Sequence, residues 1–133
     1  LGLRPHLSPR RLLQLSNIQH LQTPVQAVLP TAVHLLDVVA ELHPTPAVAG
    51  TPRHLACEQI RRYENFARSL YAAPIGWVDH QGNGEFVVGI RSALVEGCHA
   101  RLYAGAGIVA GSDPEREMAE VQLKLRALLG ALV

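Results

Sequence analysis

The sequence predicts an α+β fold, an antiparallel sheet with covering helices, on three observations. Hydrophobic residues make up 48% of the 133-residue chain, enough to bury a core in one domain. Three β-rich runs between residues 71 and 110 are separated by "HQGNGE" and "VEGCH", whose glycines permit tight turns. Helical patterns with clear start signals flank those runs, Thr51-Pro52 before them and "SDPE" after them.

Taken in order, a short helical turn is expected near residues 8 to 15. A strand follows in "NIQHLQTPVQAVL", bounded by Pro30 and carrying His20. Thr31 suits a helix N-cap, and Val33, Leu35, Leu36, Val38, Val39 and Leu42 give an apolar helix that stops at His43-Pro44. The loop "LHPTPAVAG" is stiff, because each proline fixes its own φ and pushes the preceding residue out of the helical region. Such a held loop is either a plain connector or a wall of a site.

A second helix is predicted from Thr51-Pro52 to about residue 68, covering the sheet with Leu55, Ile60, Tyr63 and Ala67. The three β-rich runs then form an antiparallel meander, with Trp77 in the core. The last helix begins at a Ser112 or Asp113 cap with Pro114 early, and carries a stripe of Val121, Leu125, Leu128 and Leu132.

Charged residues are 17% and the net charge is +1, so there is no basic field to attract nucleic acid or anionic lipid. The longest apolar run, "AVLPTAVHLLDVVAEL", is broken by proline, His34, Asp37 and Glu41, so no membrane crossing is expected. Cys57 and Cys98 have neither metal-finger spacing nor disulfide-scaffold density, which points to a reducing cytoplasm. No repeat is present. A start at Leu1 with no targeting pattern reads as a piece of something longer.

Four features carry possible chemistry. On the last helix Glu117, Glu120 and Lys124 fall at i, i+3 and i+7, within ~60° of one another. Two carboxylates at that spacing hold a hard cation such as Mg²⁺, or else Glu120 and Lys124 form an ordinary surface pair. "AGAGIVAG" offers the backbone of Gly105 and Gly107 to a carboxylate, or marks a bulge or a close crossing. Arg91 interrupts "FVVGIRSALV", and a charge in an apolar strand is edge-exposed, paired, or waiting for an anion. Tyr71 opens the first β-run, where its phenol either joins the same anion or anchors packing.

"LHPTPAVAGTP", "LYAAPIGWVDHQGNGEFVVGIRSALV", "LYAGAGIVAGSDPEREMAE" and "KLRALL", in this order, resemble the C-terminal part of isochorismate synthases, a family of chorismate-utilising enzymes. The resemblance runs from about residue 16 to the end. It implies that residues 1–133 are a single C-terminal piece of a chorismate-binding α/β sandwich. It further implies a cytosolic or plastidial parent that converts chorismate to isochorismate with Mg²⁺, for menaquinone, siderophore or salicylate synthesis; a cytoplasmic monomer is expected.

By the same resemblance Glu120 and Glu117 are the metal side, and Lys124 with the Gly105 and Gly107 backbone faces substrate anions. Arg91 and Tyr71 clasp the enolpyruvyl carboxylate, and His20 is a catalytic pocket histidine near the ring. Ala47 and Val48 line the place where the nucleophile meets the ring, leaving room for water. Relatives that use ammonia typically carry glycine and threonine where this chain has Pro46 and Ala47, and salicylate-forming ones tend to carry threonine at Ala47. The family's base lysine, acid glutamate and a further metal glutamate fall N-terminal to the segments present. An ammonia-using or salicylate-forming enzyme and a non-catalytic truncated remnant are therefore the alternatives.

Overall fold

The computed structural model describes residues 3–14 and 19–132. The chain opens with a broken antiparallel hairpin. β1 (His6–Leu7) pairs with β4 (Val25–Gln26), and β2 (Arg11–Gln14) pairs with β3 (Gln19–Gln22). A Ser8 N–H to Pro24 carbonyl bond of 2.9 Å bridges the two pairs. The expected helical turn near residues 8 to 15 is thus a strand at residues 11–14. Leu12 opposite Leu21 and Leu13 opposite His20 supply cross-strand partners that an isolated turn lacks. Residue 15 of that expectation, and residues 17 and 18 of the expected strand, lie outside the described residues.

Helix α1 (Leu35–Leu42) starts later than a Thr31 cap implies. His34 is the N-cap, its Nδ1 accepting from the Leu36 N–H at 3.1 Å while the Asp37 carboxylate accepts from the His34 N–H at 2.9 Å. Helix α2 (Arg53–Tyr63) is capped one residue later than expected, by Pro52 rather than Thr51, with no side-chain cap bond. It ends at Tyr63 rather than near residue 68. Arg53 reaches back from its first turn to the Glu41 and His43 carbonyls, at 2.9 and 3.2 Å, and so satisfies the end of α1.

The meander is four strands in two hairpins. β5 (Pro74–Val78) pairs with β6 (Gly84–Val88), and β7 (Ser92–Glu96) with β8 (His99–Tyr103), but β6 and β7 are not paired. The first ladder extends past β6 through the Ala72 N–H to Gly89 carbonyl and the Gly89 N–H to Ala73 carbonyl bonds, both 2.8 Å. Helix α3 (Pro114–Leu129) closes the chain, capped by Asp113, whose carboxylate accepts from the Arg116 N–H at 2.9 Å, and it packs against β8. The α+β class stands, with small antiparallel sheets and three helices.

Among the described residues only Ala72, Gly89 and Tyr103 are buried. The core is this one junction, where the segment after α2 crosses the end of the first ladder above Tyr103. Trp77 is 57% exposed, so its expected place in a core is not realised within this chain. Helix α2 faces the proline loop and the segment at residues 66–73 across two clefts rather than covering a sheet.

Candidate active site

The larger cleft, of about 1200 Å³, is walled by five pieces of chain. The proline loop contributes Ala47 and Val48, and α2 contributes Ala56, Gln59, Ile60 and Tyr63. Arg68, Tyr71 and Ala72 form the third wall, Ile90 and Arg91 the fourth, and residues 104–110 with Lys124 of α3 the fifth. Ala47, Val48, Tyr71, Arg91, Gly105, Gly107 and Lys124, all expected on the substrate side, therefore meet around one space.

The loop keeps its shape by its own bonds. The Val48 and Ala49 N–H groups donate to the Thr45 carbonyl at 3.1 and 3.0 Å, and the Gly50 N–H to the Pro46 carbonyl at 2.9 Å. Gly50 has φ 108, and a Cβ there would meet the Ala56 side chain at 3.0 Å, so the loop and α2 touch as closely as glycine permits. Ala47 is exposed toward the cleft and Val48 is half-buried.

Arg91 is not inside a strand. It lies between β6 and β7 with φ 51, in the left-handed region where an L side chain crowds the following carbonyl at about 1–2 kcal/mol. The first ladder has just ended at Gly89, and the second begins at Ser92. The connection turns the guanidinium into the cleft lining, and Arg91 makes no salt bridge among the described residues.

Tyr71 stacks on buried Tyr103, with ring centroids 5.2 Å apart and planes 12° from parallel. Its hydroxyl lies over Gly105, where a Cβ would come within 2.7 Å of it. That close approach, rather than any unusual dihedral, requires glycine at 105. Gly107 faces open space.

Lys124 Nζ donates to the Glu120 carboxylate at 2.5 Å and to the Gly105 carbonyl at 2.8 Å. The last helix is thereby tied to the glycine segment, and the surface-pair reading of Glu120 and Lys124 describes the contact made. Glu117 is half-buried on the stripe of Val121, Leu125 and Leu128, while Glu120 is exposed. Neither glutamate lines the cleft, although Glu120 reaches its edge through Lys124. His20 is exposed on β3 opposite Leu13 and is not brought to the cleft.

Arg68 was not anticipated from the sequence. Its guanidinium forms a two-point pair with Glu64, at 2.7 and 2.5 Å, and donates to the Val48 carbonyl at 3.1 Å. The hydrogen bond to Glu64 raises the Arg68 pKa further above its ordinary value. The Glu64 to Arg68 spacing of four was the available signal, visible only as one more helical pair.

The description "chorismate binding enzyme" belongs to the family model that matches residues 2–133. The chain is 48% identical over 121 residues to the isochorismate synthase MenF of Bacillus subtilis, covering 91% of this chain and 26% of that protein. It is 47% identical over 121 residues to the salicylate biosynthesis isochorismate synthase of Pseudomonas aeruginosa, covering 91% of this chain and 25% of that one. A crystal structure from Bacillus anthracis, described as a 2,3-dihydroxybenzoate-specific isochorismate synthase, DhbC, superposes with a TM-score of 0.89 at 39% identity. That superposition covers 97% of this chain and 35% of that one. The chain spans about a quarter to a third of the length of these relatives. It belongs to the chorismate-binding enzyme family.

Proposed function

We propose that this chain supplies one wall of an isochorismate synthase active site, and that the complete gene product converts chorismate to isochorismate. The observation that carries the reading is the cleft itself. Residues far apart in sequence, from Ala47 to Lys124, converge on one space lined by three cationic side chains, of which Arg68 is paired with Glu64, by the phenols of Tyr63 and Tyr71, and by glycine backbone. Chorismate is a dianion with a ring carboxylate and an enolpyruvyl carboxylate, which such a cleft suits. The relatives' names support the same activity.

In this reading Arg91 and Tyr71 take the enolpyruvyl carboxylate. Lys124 and the N–H groups of the glycine segment face the ring carboxylate. Water adds at C2 and the C4 hydroxyl leaves with a proton as water, so the ring keeps its composition while the double bonds shift. The alanine and valine of the proline loop are small enough to leave the nucleophile its place. The chain's own part is binding and orientation, which can supply several kcal/mol of barrier lowering when the reacting groups are held near attack distance.

The same reading assigns a hard cation to the two carboxylates of α3. Glu117 and Glu120 are both oxygen donors one turn apart, and the described residues contain no cluster of three or more potential ligands. Two carboxylates with water and substrate oxygens are a usual set for Mg²⁺. Such an ion would supply neutralisation of the ring carboxylate as charge shifts.

Product chromatography after incubating the complete gene product with chorismate and Mg²⁺, with and without ammonium, tests the reading. Isochorismate in both is expected. An aminated product that requires ammonium, or salicylate alone, would assign the chain to the alternatives that Pro46 and Ala47 argue against.

A further inference from the structure

One side chain touches two walls of the cleft without being one of the groups expected to hold the substrate. Arg68 donates Nη1 to the Val48 carbonyl at 3.1 Å, and its Cζ lies 5.6 Å from the centroid of the Tyr71 ring. The carboxylate of Glu64, at the C-cap of α2, holds Nε and Nη2 in a fork that fixes the guanidinium plane. The Arg68 and Glu64 side chains are 26% and 27% exposed, so the pair is shielded more than a usual surface pair. Val48 belongs to the loop expected at the reacting ring, and Tyr71 to the clasp on the enolpyruvyl side. Between them the guanidinium acts as a spacer of fixed length.

We infer that Arg68 is the positioning residue of this cleft: anchored by Glu64, it sets the separation between the proline loop and Tyr71. The inference rests on the chorismate reading for its use, but not for its geometry. Arginine is required because a planar group with five donors can satisfy a carboxylate fork and a carbonyl together while lying against a ring. Lysine carries the charge but reaches these partners one at a time. Glutamine carries neither charge nor fork.

The test uses Arg68→Gln and Arg68→Lys in the complete gene product, with two readouts. Hydrogen exchange at the Val48, Ala49 and Gly50 amides reports the loop whatever the protein catalyses. At least tenfold faster exchange there is expected in Arg68→Gln, with distant helix amides unchanged. The second readout is kcat/KM for chorismate with Tyr71→Phe added to each background.

Arg68→Gln is expected to lower kcat/KM at least tenfold, and Tyr71→Phe to lose most of its effect in that background, because a displaced ring has little left to lose. Arg68→Lys should fall between the wild type and Arg68→Gln. Exchange within twofold of the wild type at the three loop amides would overturn the inference. So would a Tyr71→Phe effect of the same factor in both backgrounds. If Arg68→Gln does not fold, Arg68→Lys decides by the same two readouts. A wild-type protein that leaves chorismate untouched would sink the activity reading, and loop exchange alone would then decide the role of Arg68.

Discussion

Arg91 holds a left-handed backbone at an exposed position, so its conformation is unfavourable for folding and its side chain offers little burial in return. A glycine there relieves the crowding. In the complete gene product, Arg91→Gly is therefore expected to leave the melting temperature unchanged or raise it, by roughly 1 kcal/mol of stability, while abolishing the proposed chorismate turnover. Arg91→Lys keeps the charge and loses the planar fork, and kcat/KM should fall at least tenfold, about 1.4 kcal/mol. Kinetics and thermal melts on the two variants check both statements. A second test concerns Gly105, whose added Cβ would meet the Tyr71 hydroxyl at 2.7 Å but the Cζ beneath it only at 3.9 Å. Gly105→Ala should be destabilising alone and close to neutral in a Tyr71→Phe background, as measured by denaturant midpoints. That Arg91 was out of place was readable from the sequence, since a charge in "FVVGIRSALV" demands a reason. Its position between two ladders was not, because β propensity is continuous through that stretch and the break depends on bonds between Gly89 and residues 72 and 73, on the near side of β5.

Among helices and strands, boundaries differ from the first local signal where a second contact competes with it. Thr31 is a good cap by composition, yet His34 and Asp37 form a reciprocal pair three residues later and the helix starts there. The last helix starts where its sequence predicts, with Asp113 rather than Ser112 as the cap and Pro114 just after it, because both act locally. The turn between β5 and β6 is also local. The Asp79 carboxylate accepts from the Gln81 and Asn83 N–H groups, both at 2.8 Å, and from the Asn83 side chain at 3.0 Å. Chiefly the Asn83 side-chain bond holds its pKa below the ordinary carboxylate value of 3.8. A depressed carboxylate contributes stability above the unfolded pKa and loses it as pH falls through the lower folded one. The Gln81 and Asn83 amide shifts are thus expected to be flat above about pH 4 and to move only below it, and Asp79→Asn should remove that step. On α3, Glu120→Gln should cost less than about 0.5 kcal/mol of stability, since the pair it weakens is exposed. It should nevertheless raise the Mg²⁺ concentration for half-maximal turnover at least tenfold. An unchanged Mg²⁺ requirement would remove Glu120 from the metal side.

For the whole molecule, the accessible surface is 10830 Å², whereas a closed 14.4 kDa domain exposes about 6,800 Å². Large apolar side chains are part of what is left open: Leu7, Leu21, Val25, Val28, Trp77, Val87 and Val95 are all more than half exposed. Composition alone suggested a domain with its own core, because apolar content records how much a chain can bury and not whether the partner surface lies within it. The motifs carried what composition did not, since the pocket-facing residues follow the backbone path, and that path is the family's. The 133-residue chain by itself is expected to associate at micromolar concentration and to form no isochorismate, which size-exclusion chromatography and a product assay would check. Among the described residues no helix is long and apolar enough to cross a membrane.

In the proposed reading, the cleft between the proline loop, Arg91 and Lys124 receives chorismate. A crystal structure of the complete gene product with chorismate or isochorismate bound tests it most directly. One carboxylate is expected within hydrogen-bond distance of Arg91 and the Tyr71 hydroxyl, the other beside Lys124 and the glycine segment, and the ring against Ala47 and Val48. A ligand seated away from this cleft, or bound in it with Arg91 turned aside, would overturn that reading.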